Sequence, residues 1–157
     1  MSDPVSFPPE PAPIREPAVT APPAALWLAG LLIAAFLAQS AAPSGLVESL
    51  AYSPAPGVLS RPMTLFTAIW LHGGWGHLAM NTAFALAFAT PLARFFGPRP
   101  RGVTVLFLFF LACGVLGNLG FGLLHAGQSL GLIGASGGVS GLAAGAARIV
   151  GGGGRIG

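Results

Sequence analysis

Nineteen consecutive residues, Ala24 to Ala42, carry no charge. Uncharged apolar stretches follow at Gly74 to Leu92 and Gly102 to Leu124, and a fourth, Leu132 to Val150, is interrupted only by Arg148. Crossing the hydrocarbon core of a bilayer takes a helix of about 20 apolar residues. Within lipid each backbone polar group must be satisfied inside the segment, which a helix does by itself. Composition points the same way: 54% of the 157 residues are hydrophobic and 7% are charged, against about 25% charged in soluble domains. The lone Cys113 sits in an apolar run, which excludes a disulfide scaffold. Seven scattered arginines and a net charge of +3 make no basic patch, so nucleic acid is not an expected partner. The expectation is an all-α, polytopic transmembrane helical bundle whose partner is the lipid bilayer.

Three segments follow. Residues 1–23 hold eight of the fifteen prolines, together with Asp3, Glu10, Arg15 and Glu16, and read as a disordered, extended tail. Residues 24–150 read as the membrane domain, and 151–157 as a glycine-rich tail. Ser40-Ala41-Ala42 would suit cleavage of a signal peptide, but the apolar stretch exceeds the usual 7 to 15 residues and lies behind a proline-rich segment. It is therefore read as the first span. Pro43 to Arg61 reads as a loop, Arg94 to Arg101 as a basic turn and His125 to Ser129 as a polar break. Pro91 is expected to kink the second span near its end. With the N-terminus cytoplasmic, Arg15, Arg94, Arg99, Arg101, Arg148 and Arg155 all fall inside and only Arg61 outside, as the distribution of basic residues in membrane proteins requires. The second and fourth spans then both begin at the outer face.

Two polar clusters interrupt the apolar pattern. His77 and Asn81, four residues apart, share one helix face. They serve either as interhelical hydrogen-bonding glue or as part of a site, since strongly polar groups inside a span usually face the bundle interior. His72 and His77 are five apart with no carboxylate near them, so no metal is expected. The second cluster is Gly134-Ala135-Ser136-Gly137-Gly138-Val139-Ser140-Gly141. It matches the nucleophile elbow of soluble hydrolases in form, but that motif needs a preceding strand and is set aside. Gly137, Gly141 and Gly145 recur every fourth residue and would admit a close neighbouring helix. A serine at a helix start also lies where free amides and the helix dipole favour developing negative charge. If the two clusters converge, a serine, a histidine and an asparagine amide meet near the outer surface, and acyl transfer is the natural chemistry.

At these residues the chain resembles the rhomboid family of intramembrane serine proteases. The resemblance rests on His77-Leu78-Ala79-Met80-Asn81 and Gly134-Ala135-Ser136-Gly137, supported by Phe66-Thr67 and His72, and covers roughly 24–150. It implies Ser136 as nucleophile, with His77, Asn81 and the Ser136 amide as the oxyanion hole and Gly134 and Gly137 shaping the motif backbone. It further implies cleavage of membrane-protein substrates in or beside a transmembrane segment, no cofactor, and residence in a cell membrane, expected to be a bacterial inner one. Rhomboids have six core helices and carry the base histidine on the sixth. The resemblance thus accounts for four of six spans and places the base outside these 157 residues, which alone would be inactive. His125 is a remote substitute base. Met63-Thr64, Ala93 and Ser140 stand where the family often has Trp-Arg, a glutamate and an aromatic. The glycine faces of the third span (Gly114, Gly117, Gly120) and of the fourth are expected to lack partners. A catalytically inactive, client-binding rhomboid-like protein is the alternative, and an unrelated helical bundle the third reading.

Overall fold

The computed structural model describes residues 21–153, so most of the proline-rich segment and the last four residues lie outside it. Four long helices dominate: α1 (Pro23–Ser40), α4 (Trp75–Phe96), α5 (Pro100–Leu124) and α6 (Ser136–Gly151). Two short ones, α2 (Ser44–Leu50) and α3 (Thr64–Thr67), occupy the first connection, and α3 runs on into a 3-10 turn at Ala68–Trp70. No strand forms among the described residues; the nearest approach is an isolated bridge between Tyr52 and Leu132.

Each long helix buries a stripe. In α5 it is Gly102, Leu106, Phe110, Gly114, Asn118 and Gly122, every fourth residue, which keeps one face toward its neighbours. In α4 it is Leu78, Asn81, Ala85, Ala89, Leu92 and Ala93. α6 packs against both α4 and α5, and α1 packs on α4. The core gathers Leu28, Leu32 and Phe36 of α1 with Ala85, Leu92, Leu106, Phe110 and Leu142. Leu108, Leu116, Leu123 and Trp27 stay exposed, as lipid-facing side chains would.

The structure revises several sequence expectations. Pro23 opens α1 instead of closing the tail, because proline's fixed φ and missing donor suit the first helical position. Gly151 ends α6 instead of beginning a tail. The fourth helix starts at Ser136, not Leu132, because Gly134 has a φ of +126° that breaks any earlier turn. The expected Pro43 to Arg61 loop contains α2, whose Leu46, Val47 and Leu50 turn toward α1. Among the described residues, only α1 and α5 are both long and apolar enough to cross a membrane by length and composition. α4 has the length, at 22 residues, but carries His77, Asn81, Thr82 and Arg94; α6 has only 16 residues. The glycine faces do find partners: Gly114 lies against Ile69 and Gly137, Gly117 against Gly137, Gly141 against Cys113, and Gly145 against Leu92 and Phe109. Among these only Gly120 faces open space.

The first connection braces the rest. Tyr52 is fully buried and exchanges two backbone bonds with Leu132, of 3.1 and 2.8 Å. The Gly127 N–H donates to the Pro54 carbonyl, the Thr67 hydroxyl to the Leu50 carbonyl at 2.7 Å, and the Arg61 guanidinium to the Ser49 carbonyl. Asn118 of α5 donates from Nδ2 to the Leu65 carbonyl at 2.7 Å. The segment leading into α6 is thus held by residues far away in sequence.

Candidate active site

His77 stands in the first turn of α4 and Asn81 one turn below it. Both face α6. A pocket of about 230 Å³ lies between the two helices, lined by His77, Met80, Asn81, Phe84, Ser136, Val139 and Ser140. The two polar clusters therefore meet at the paired starts of neighbouring, co-directional helices.

Gly134 makes the meeting possible. Its N–H donates to the Ala68 carbonyl at 2.8 Å, which anchors the approach to α6. A Cβ placed there would come within 2.7 Å of His77 Cε1 and 2.8 Å of its Nε2, so only glycine lets this backbone lie against the imidazole. Ala135 precedes the helix and no side chain caps it. The first intrahelical bond runs from the Val139 N–H to the Ala135 carbonyl, so the amides of Ser136, Gly137 and Gly138 have no intrahelical acceptor. Ser136 is exposed toward the pocket side. Gly137 serves a packing purpose: its Cα sits among Gly114 and Gly117 of α5.

The protonation pattern of His77 follows from its neighbour. The Gly73 N–H donates to His77 Nδ1 at 3.3 Å. A neutral imidazole that accepts at Nδ1 carries its proton on Nε2, the nitrogen lying against Gly134. Asn81 is buried and donates from Nδ2 to the His77 carbonyl at 3.1 Å, which leaves its second amide hydrogen uncommitted.

The other two histidines are placed elsewhere. His72 precedes α4, is 1% exposed, and lies with its ring centroid 5.2 Å from that of His77 and 6.4 Å from that of Phe36. His125 caps α5, stacks on Phe121 at 4.2 Å and pairs through Nδ1 with the Phe121 carbonyl at 2.9 Å. It does not line the pocket. Among the described residues no group of three potential metal ligands occurs.

The model of the Rhomboid domain matches residues 59–150, more than half of the chain. The chain belongs to the rhomboid family. The match takes in α3, α4, α5 and nearly all of α6, with both polar clusters, and makes this helical chain a membrane protein. No curated protein and no solved structure matches it.

Sequence reasoning passed over Gln39 and Tyr52. Gln39 gave a signal, as a polar residue beside Ser40 in the last turn of an apolar stretch. Tyr52 gave none, because its partners Leu132 and Gly122 are distant in sequence.

Proposed function

We propose that this rhomboid is an intramembrane serine endopeptidase that cleaves membrane-protein substrates in or beside a transmembrane segment. The observation that carries the reading is the single pocket shared by Ser136, His77 and Asn81. The Ser136 hydroxyl attacks the scissile carbonyl and a tetrahedral oxyanion forms. In this reading three donors beside the pocket stabilise that charge: the Nε2–H of His77, the free amide hydrogen of Asn81 and the Ser136 N–H at the helix start. Gly134 lets the backbone two residues before Ser136 lie against the imidazole.

The reading takes the general base from a further helix of the full-length protein. None of the three histidines here supplies it: His77 is the oxyanion donor, His72 is buried before α4, and His125 is committed to Phe121. The alternative reading is an inactive rhomboid-like protein that binds transmembrane clients. The orientation we propose is a cytoplasmic N-terminus with the pocket near the outer face of a bacterial inner membrane.

A serine-directed fluorophosphonate probe decides between the two readings. The full-length protein should be labelled at Ser136, and Ser136→Ala should lose the label. A folded full-length protein that resists the probe rejects the protease reading and leaves the client-binding one.

A further inference from the structure

Two hydrogen bonds tie α1 to the residue five places before His77. The Gln39 side chain accepts from the His72 N–H through Oε1 at 2.8 Å and donates from Nε2 to the His72 carbonyl at 2.7 Å. Such a reciprocal pair is what a neighbouring strand would offer, and it fixes both the position and the tilt of the peptide. A glutamine so near the end of an apolar helix needs partners, and here both halves of its amide find them on one residue. The His72 ring is held as well, buried between Phe36 of α1 and His77.

The clamp controls the next peptide. Gly73 follows His72, and its N–H is the donor to His77 Nδ1. At 3.3 Å that bond is near the outer limit of hydrogen-bond geometry, so a small outward drift of the loop breaks it. Once it breaks, nothing at Nδ1 selects the tautomer, and a ring with its proton on Nδ1 presents a lone pair toward Gly134 instead of a donor.

We propose that Gln39 is a positioning residue for His77: through the His72 and Gly73 peptides it holds the imidazole in the Nε2–H form, beside the pocket that His77 shares with Ser136. The proposal rests on the protease reading for its consequence in catalysis, whereas its tautomer consequence stands apart from that reading. Gln39 touches neither Ser136 nor the pocket, so its influence is exerted entirely through the loop.

The test uses the full chain labelled with 15N-histidine, with the His77 signals identified by their loss in His77→Gln. Spectra are taken near pH 8.5, well above the ordinary imidazole pKa of about 6.5. In the wild type the Nε2–H tautomer should dominate. Gln39→Leu should raise the Nδ1–H share about fivefold and slow fluorophosphonate labelling of Ser136 about tenfold, as small displacements of positioned groups do. Gln39→Glu keeps the acceptor for the His72 N–H, loses the donor, and should fall between. Resistance to added protease reports folding of each variant, and if Gln39→Leu is unfolded, Gln39→Glu decides. An unmoved tautomer ratio in a folded variant overturns the proposal, as does failure of both variants to fold, which would make Gln39 purely structural. A wild type that never labels while its tautomer ratio still depends on Gln39 rejects the protease reading alone.

Discussion

At Gly134 two constraints coincide: a φ of +126° and an imidazole 2.7 to 2.8 Å from where a Cβ would sit. Neither alone would single it out. Gly134→Ala should destabilise the protein by about 1–3 kcal/mol and push the His77 ring away from Ser136, seen as a lowered thermal midpoint together with lost probe labelling. His72 carries a second residue-scale consequence. Burial foremost, and then the neighbouring His77 charge, hold its pKa below the ordinary 6.5, opposed in part by the nearby Trp70 carbonyl. Neither ring nitrogen has a hydrogen-bond partner in the described structure. Below about pH 6.5 the unfolded chain binds a proton that the folded chain refuses, so stability is full above that pH and falls as pH drops toward the lower folded pKa. Thermal midpoints measured from pH 8 down to 5 should show this slope (a span chosen around the ordinary imidazole pKa of about 6.5), and His72→Gln should flatten it. An equal slope in the variant would contradict the assignment to His72.

Among the elements, α6 is the clearest case of a helix specified by what is absent. Gly138 lies under the Phe110 ring, Gly141 under Cys113, and Gly137 against two glycines of α5, so the two backbones approach closely along the first turns of α6. The four-residue glycine spacing made a close neighbour legible from sequence, but not which helix it would be. Gly114 and Gly117, read as faces without partners, turned out to be that neighbour. α3 shows the converse. Four residues cannot sustain a helix alone, and α3 leans on Asn118, whose Nδ2 meets the Leu65 carbonyl at 2.7 Å in a buried setting. Asn118→Leu removes that donor and should cost about 1–3 kcal/mol, read as a lower thermal midpoint with α4, α5 and α6 still formed by circular dichroism. An unchanged midpoint would mean that α3 is held by its apolar contacts instead.

Across the whole molecule, the ends of the helices sort by charge. The start of α1, the end of α4 and the start of α5 lie together around Pro22, Arg94, Gly97 and Val103, and the contact of Gly145 with Leu92 brings the end of α6, with Arg148, to that same side. Arg61 bonds to Ser49 at the end of α2, in the connection that follows α1. If the arginine-rich end is cytoplasmic, then in a Cys113→Ala background a cysteine introduced at Ser60 should react with a membrane-impermeant maleimide on intact cells, and one at Arg99 should react only after lysis. Labelling of the opposite set would invert the proposed orientation. By itself the sequence determined the helical class, the approximate positions of the long helices and the two polar clusters, because the pattern of charge and apolar residues along a chain is a local property. The tertiary structure alone decided that Gly134 touches His77, that Tyr52 and Leu132 brace the entry to α6, and that Gln39 grips His72. Each of these joins residues more than thirty positions apart, and such a pairing has no one-dimensional signature: it exists only once helix packing has brought the two backbones within hydrogen-bonding reach.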